Sequence, residues 1–108
     1  MREAATESNL VLIVSLWLKG GDVAAFESFE RQASQIMATH GGRIERVIRL
    51  LRNDAKAQPP FEVHVISFPD QESFDAYRND GRARTLAQLR DEVIERTVVL
   101  RGYDVAVY

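Results

Sequence analysis

Cysteine is absent from the 108 residues, which removes disulfides, thiolate nucleophiles and thiolate-bound metal. Lysine is scarce: Lys19 and Lys56 are the two in the chain, so positive charge is carried almost wholly by arginine, whose forked guanidinium suits planar anions. No basic excess exists either. The formal net charge is -2 and the isoelectric point is near 5.7, which argues against a general nucleic-acid binder. No apolar run approaches the roughly 20 residues of a membrane span. The opening stretch Met1–Asn9 is polar and contains two glutamates, unlike a secretory leader. A cytoplasmic protein without membrane attachment is expected. There is no phosphate-cradling glycine loop, nucleophile elbow or His-Glu-x-x-His pair, and His40 and His64 are the two histidines.

What is present is one pattern written twice: an apolar strand, a turn, an amphipathic helix and another strand. Leu10–Leu18 is apolar on both faces, Leu10, Leu12, Val14, Leu16 and Leu18 on one and Val11, Ile13, Ser15 and Trp17 on the other. This is the pattern of a central strand covered on both sides. Asp22 is placed to cap a helix carrying Phe26, Phe29, Ala33, Ile36 and Met37 on one stripe to about Thr39, closed by His40-Gly41-Gly42. Arg43–Arg52 fits either a helix, through Ile44, Val47, Ile48 and Leu51, or a strand. The Gly-Gly entry and the β-branched content favour the strand. After a loop over Asn53–Pro60, Phe61–Phe68 alternates as a strand with Glu62, His64, Ile66 and Phe68 on one face. A helix from near Asp70 carries Phe74 and Tyr77, breaks at Asn79-Asp80-Gly81 and resumes with Leu86, Leu89 and Val93. Its arginines, Arg78, Arg82, Arg84 and Arg90, are expected on the solvent side, paired with Asp80, Asp91 and Glu92. A last strand is expected over about Thr97–Tyr103, leaving Asp104–Tyr108 as a tail able to pair along a partner's edge.

The expectation is an α+β protein with βαββαβ order, residues 1–9 a disordered tail and residues 10–108 one domain. Two such halves leave no room for a separate catalytic domain, so any chemistry must sit on the sheet or at a subunit interface. The element order, the helix end His40-Gly41-Gly42-Arg43, the junction Ile66-Ser67-Phe68-Pro69-Asp70 and the broken second helix resemble the dimeric α/β-barrel superfamily of ferredoxin-like domains. Within it the chain is most similar to a small uncharacterised family neighbouring the antibiotic-biosynthesis monooxygenases. The resemblance implies a four-stranded antiparallel sheet with helices on one face and a twin subunit's sheet on the other. The two-sided apolarity of Leu10–Leu18 agrees, since two helices cover one face only.

In that frame the candidate site is a cavity against the sheet. His64 is the candidate general base, because imidazole is the side chain that titrates closest to neutrality. Glu62, two residues earlier on the same face, would set its charge. Arg46 and Arg49 are candidates for holding a carboxylate or phenolate, Trp17 for a flat wall and Ser15 for a hydrogen bond beside it. Packing is the commoner fate of a strand tryptophan, and His40 is explained by a helix terminus. Glu62 and His64 alone are too few for a metal site, and no cofactor is expected. Some superfamily relatives set Asn, Trp and His around a buried ligand. Here Asn9, Asn53 and Asn79 fall outside the strands, so that triad does not carry over. The readings are a homodimer binding a small aromatic or carboxylated molecule, a cofactor-independent monooxygenase or isomerase using His64, and a structural dimer with a filled interface.

Overall fold

The structure, a computed structural model, describes residues 9–51 and 58–108. Most of the expected tail, residues 1–8, and the stretch 52–57 within the expected loop lie outside the described residues. In chain order the elements are β1 (Leu10–Leu18), α1 (Val23–Ala38), β2 (Arg43–Arg49), β3 (Glu62–Phe68), α2 (Gln71–Arg78), α3 (Gly81–Val93) and β4 (Ile94–Gly102). The four strands form one sheet in the order β2-β3-β1-β4, each neighbouring pair antiparallel. This is the α+β ferredoxin-like sandwich expected from the pattern.

Each helix begins on an aspartate. Asp22 accepts from the amide of Ala25 at 3.0 Å, Asp70 from that of Ser73 at 2.8 Å and Asp80 from that of Arg82 at 2.8 Å, satisfying amides that the first turn leaves free. The third cap explains the break between α2 and α3: Asp80 cannot serve as a cap and also continue a helix. Arg43–Arg49 is a strand, and it ends before Leu50. The last strand starts three residues earlier than the pattern suggested, because α3 passes into β4 at Val93 and Ile94 with no intervening loop. Asp104–Tyr108 is exposed.

Register fixes the two faces. Val14 pairs with His64 on β3 and with Val99 on β4, so these three share a face with Leu12, Leu16, Ile66 and Phe68. The helices cover that face: Phe26, Phe29, Ala33 and Met37 of α1 and Val93 of α3 complete the buried cluster. The opposite face carries Val11, Ile13, Ser15, Trp17, Val63, Val65, Val98 and Leu100, and in the single chain it is open, with Ile13 37% and Leu100 62% exposed. No helix among the described residues is long and apolar enough to cross a membrane.

The return from α1 to β2 is tight. Gly41 has φ of 79° and would place a Cβ 2.8 Å from Pro69. At Gly42 a Cβ would collide with Met37 and stand 2.6 Å from the Phe68 ring. Gly42→Ala should therefore cost about 1–3 kcal/mol through overpacking. Gly81→Ala, where a Cβ meets nothing within 4 Å, should leave stability within about 0.5 kcal/mol or raise it. Urea denaturation of the two variants measures both.

Candidate functional site

Alternation along β3 turns Glu62 and His64 to the helix-covered face, where both are buried, at 4% and 2% exposure. The Glu62 carboxylate reaches along the strand so that Oε1 lies 2.8 Å from His64 Nε2. Its other oxygen, Oε2, accepts from Arg49, which stands opposite it in the β2–β3 register, through Nε at 2.8 Å and also through Nη2. The same guanidinium donates to Glu27 Oε2 of α1 at 3.1 Å and lies over the Phe61 ring at 4.6 Å. Both partners raise the Arg49 pKa by hydrogen bonding, Glu62 most, so the guanidinium stays charged. A carboxylate held by it is an acceptor only, which leaves Nε2 of His64 as the donor and Nδ1 as the nitrogen with a free lone pair.

Nδ1 faces a second carboxylate. Glu30, one turn beyond Glu27 on α1, places Oε1 3.6 Å from Nδ1, longer than a hydrogen bond. Burial is the leading cause of a raised Glu30 pKa, opposed by the charge of His64 and reinforced by that of Glu62. Both His64 and Glu30 border a cavity of about 250 Å³ between the sheet and the three helices. Its walls are mostly aliphatic and aromatic, from Leu12, Val14, Phe29, Ile66, Phe74 and Leu86, with Tyr77, Arg90 and Thr97 as further polar members. Arg90 donates to Thr97 Oγ1 at 2.6 Å. Burial, and secondarily the charge of Glu30, raises the Tyr77 pKa, so its hydroxyl keeps its proton. Chemically, this is a small apolar pocket with one oriented imidazole and one mostly buried carboxyl at its polar end.

Three of the six expected site residues come together here: His64, Glu62 and Arg49. Ser15 and Trp17 lie across the sheet, because β1 residues paired with Val63 and Arg96 share the open face. There the Trp17 indole donates to the Gln58 carbonyl at 3.2 Å and stacks under Arg96 at 4.5 Å. Arg46 pairs with Val65 beside a bulge between Ile44 and Arg46, so it too is on the open face. Three residues apart on a strand, Arg46 and Arg49 cannot share a side. The buried imidazole therefore borders a cavity inside one chain, on the helix side, and not the space that two apposed sheets would enclose.

Glu30, Tyr77 and Arg90 were not singled out from the sequence. Arg90, expected on the solvent side, is partly exposed and lies 3.7 Å from Asp91, and it also borders the cavity, as does Arg78, which pairs with Asp75 at 2.6 Å; Arg82 pairs with Asp80 at 2.8 Å. The available signal for Glu30 was its place beside Phe29 on the apolar stripe of α1. His40 stands apart, 2.8 Å from Asp80, where it joins the end of α1 to the start of α3. Asp80 is held below the usual carboxylate range by Arg82 first and then His40. No three His, Asp or Glu side chains among the described residues are disposed to hold a metal ion.

No family model matches the chain and no curated protein does, but solved structures share its fold. A Rhodopseudomonas palustris protein of unknown function is similar over 94% of this chain and 85% of its own, with a TM-score of 0.78 at 14% identity. The shared fold is ferredoxin-like. Among the structures that share it, a Nitrosomonas europaea protein provisionally assigned as an antibiotic biosynthesis monooxygenase aligns over 91% of both chains, with a TM-score of 0.70 at 14% identity. The cofactor-independent oxygenase SnoaB of Streptomyces nogalater, in an Asn-to-Ala mutant, aligns over 93% of this chain and 96% of its own, with a TM-score of 0.72 at 15% identity. Identities this low speak for the fold alone.

The raised Glu30 pKa has a sign that can be tested. Its folded value lies above the ordinary 4.5, so the stability it contributes is fully present below that value and is lost as pH rises through the folded value. Glu30→Gln should thus melt at a higher temperature than the parent protein at pH about 8, with the difference shrinking toward zero near pH 4. Thermal denaturation across that range reads it.

Proposed function

We propose that the chain binds a small, largely apolar molecule carrying a weakly acidic hydroxyl, a phenol or an enol, in the helix-side cavity, with His64 Nδ1 as the proton acceptor. The observation that carries this reading is a fully buried imidazole with one nitrogen anchored by Glu62 and the other 3.6 Å from Glu30 Oε1, both His64 and Glu30 bordering a largely apolar cavity of about 250 Å³. That volume suits one or two rings, given that a cavity of about 150 Å³ takes up benzene. Arg49 acts through Glu62: it keeps the carboxylate an acceptor, which holds the ring in one tautomer. Proton removal by His64 is also the first step of the enzymatic reading, a cofactor-independent monooxygenase or isomerase with His64 as general base. The fold likeness to a cofactor-independent oxygenase gives that second reading its motive.

We further propose a homodimer through the open sheet face. Ile13, Val63, Val65, Val98 and Leu100 make that face apolar, and each Å² removed from water contributes about 25 cal/mol before association costs. Ser15, Trp17 and Arg46 then belong to the subunit contact and its rim, and the exposed Tyr103–Tyr108 segment is available to pair along the second copy.

4-Nitrophenol tests the ligand site, because its visible band reports ionisation. Bound to the parent protein it should appear as phenolate at a pH where the free compound is mostly neutral. His64→Gln should reduce the bound phenolate about tenfold or more. Absence of saturable binding by the parent protein would reject the site. For the dimer, sedimentation at micromolar concentration should give twice the mass of the chain, and the double variant Ile13→Asp, Leu100→Asp should be monomeric while keeping its helical circular dichroism.

A further inference from the structure

We propose that His64 and Glu30 form a proton-transfer couple that interconverts the keto and enol forms of a small apolar carbonyl compound held in the cavity. The proposal rests on the reading of this cavity as a ligand site in which His64 accepts a proton. What it adds is a second group. Binding alone needs one acceptor, whereas Glu30 Oε1 stands 3.6 Å from His64 Nδ1 at the same end of the same cavity. A base and an acid spaced this closely face two adjacent atoms of one ligand, such as a carbonyl oxygen and the carbon beside it.

The steps balance without any oxidant or cofactor. His64 Nδ1 removes a proton from the carbon next to the carbonyl, and the C–H electron pair becomes the new carbon–carbon double bond. The carbonyl π pair moves to oxygen, which takes the proton of the Glu30 carboxyl, and the enol is complete. The site now holds an imidazolium and a carboxylate 3.6 Å apart. Transfer of the Nδ1 proton to Glu30 restores both groups, so each turnover closes within the pair. The reverse sequence converts enol to ketone.

The surroundings assign the two roles. Glu62 anchors Nε2 and stabilises the imidazolium that the first step creates. Burial raises the Glu30 pKa, so this carboxyl keeps its proton further toward neutrality. Paired groups whose surroundings make one an acceptor and the other a donor are the general signature of an acid–base couple. The charged and titratable groups that face the pair are Glu27 on α1, Arg49 on β2, Glu62 on β3, Tyr77 on α2 and Arg90 on α3. Glu30 is also the more accessible member, its side chain 19% exposed against 2% for His64, so protons exchange with solvent through it.

The probe is 2-tetralone, a bicyclic ketone of suitable size, and the readout is exchange of its α-protons for deuterium, followed by NMR. The parent protein should accelerate exchange over buffer by about 100-fold or more, the usual scale of a positioned acid or base. Glu30→Gln should lose most of that acceleration while still taking up 4-nitrophenol, and His64→Gln should lose the exchange and the phenolate band together. Glu30→Ala is measured alongside, so that loss of the acid is separable from loss of the cavity. Full exchange activity in both Glu30 variants overturns the couple. No acceleration by a parent protein that ionises 4-nitrophenol overturns the tautomerase inference and leaves the ligand site standing. Failure to bind 4-nitrophenol removes the site, and the inference with it.

Discussion

A carboxylate buried under helices is tolerable only when its charge is answered, and Glu62 is answered twice. An unpaired ion in that position costs several kcal/mol. Arg49 across the strand pair and His64 two residues along supply the compensation. Nearly everything distinctive about the molecule follows from that arrangement. The ring of His64 is held, its Nδ1 faces Glu30 beside the cavity, and α1 is tied to the sheet through the bond from Arg49 to Glu27. The cluster is thus at once a strut between β2, β3 and α1 and the polar end of the cavity.

The cavity itself has an energetic meaning. Interiors are close-packed, and residual cavity volume destabilises by about 24 cal/mol per Å³ in core-truncation series. The pocket of about 250 Å³ is partly open to solvent, so it costs less than an enclosed void of that size. Ala33, Ala83 and Ala87 line it, and larger side chains there would fill it. The small residues lie on α1 and α3, and the polar groups His64, Glu30 and Arg90 gather where those helices meet the sheet. Shape and chemistry of the cavity therefore come from the same two helices.

Most of the architecture was legible because local and long-range signals agree. Asp22 and Asp70 announced two helices and do cap them, and alternation in Phe61–Phe68 placed Glu62 and His64 on one face, as found. The ambiguous Arg43–Arg52 resolved to a strand because β3 offers it an edge to pair with, which no local pattern can report. The same limit governed the site. Side-chain parity within a strand is visible in sequence, but the face of one strand that meets a given face of another depends on register. Ser15 and Trp17 thus fell on the far side from His64. A bulge between Ile44 and Arg46 further obscured which arginine reached Glu62. Glu30 was hidden for a different reason: a glutamate next to an apolar stripe reads as the edge of a solvated face until the sheet beneath it is known.

Glu62 holds the proton of His64 on Nε2 and leaves Nδ1 without one. Long-range proton–nitrogen NMR of the ring, recorded at a pH where the imidazole is neutral, observes this directly. The expected result is a protonated Nε2 and a bare Nδ1 in the parent protein. A proton on Nδ1 with Nε2 bare would contradict this tautomer and remove Nδ1 as the proton acceptor.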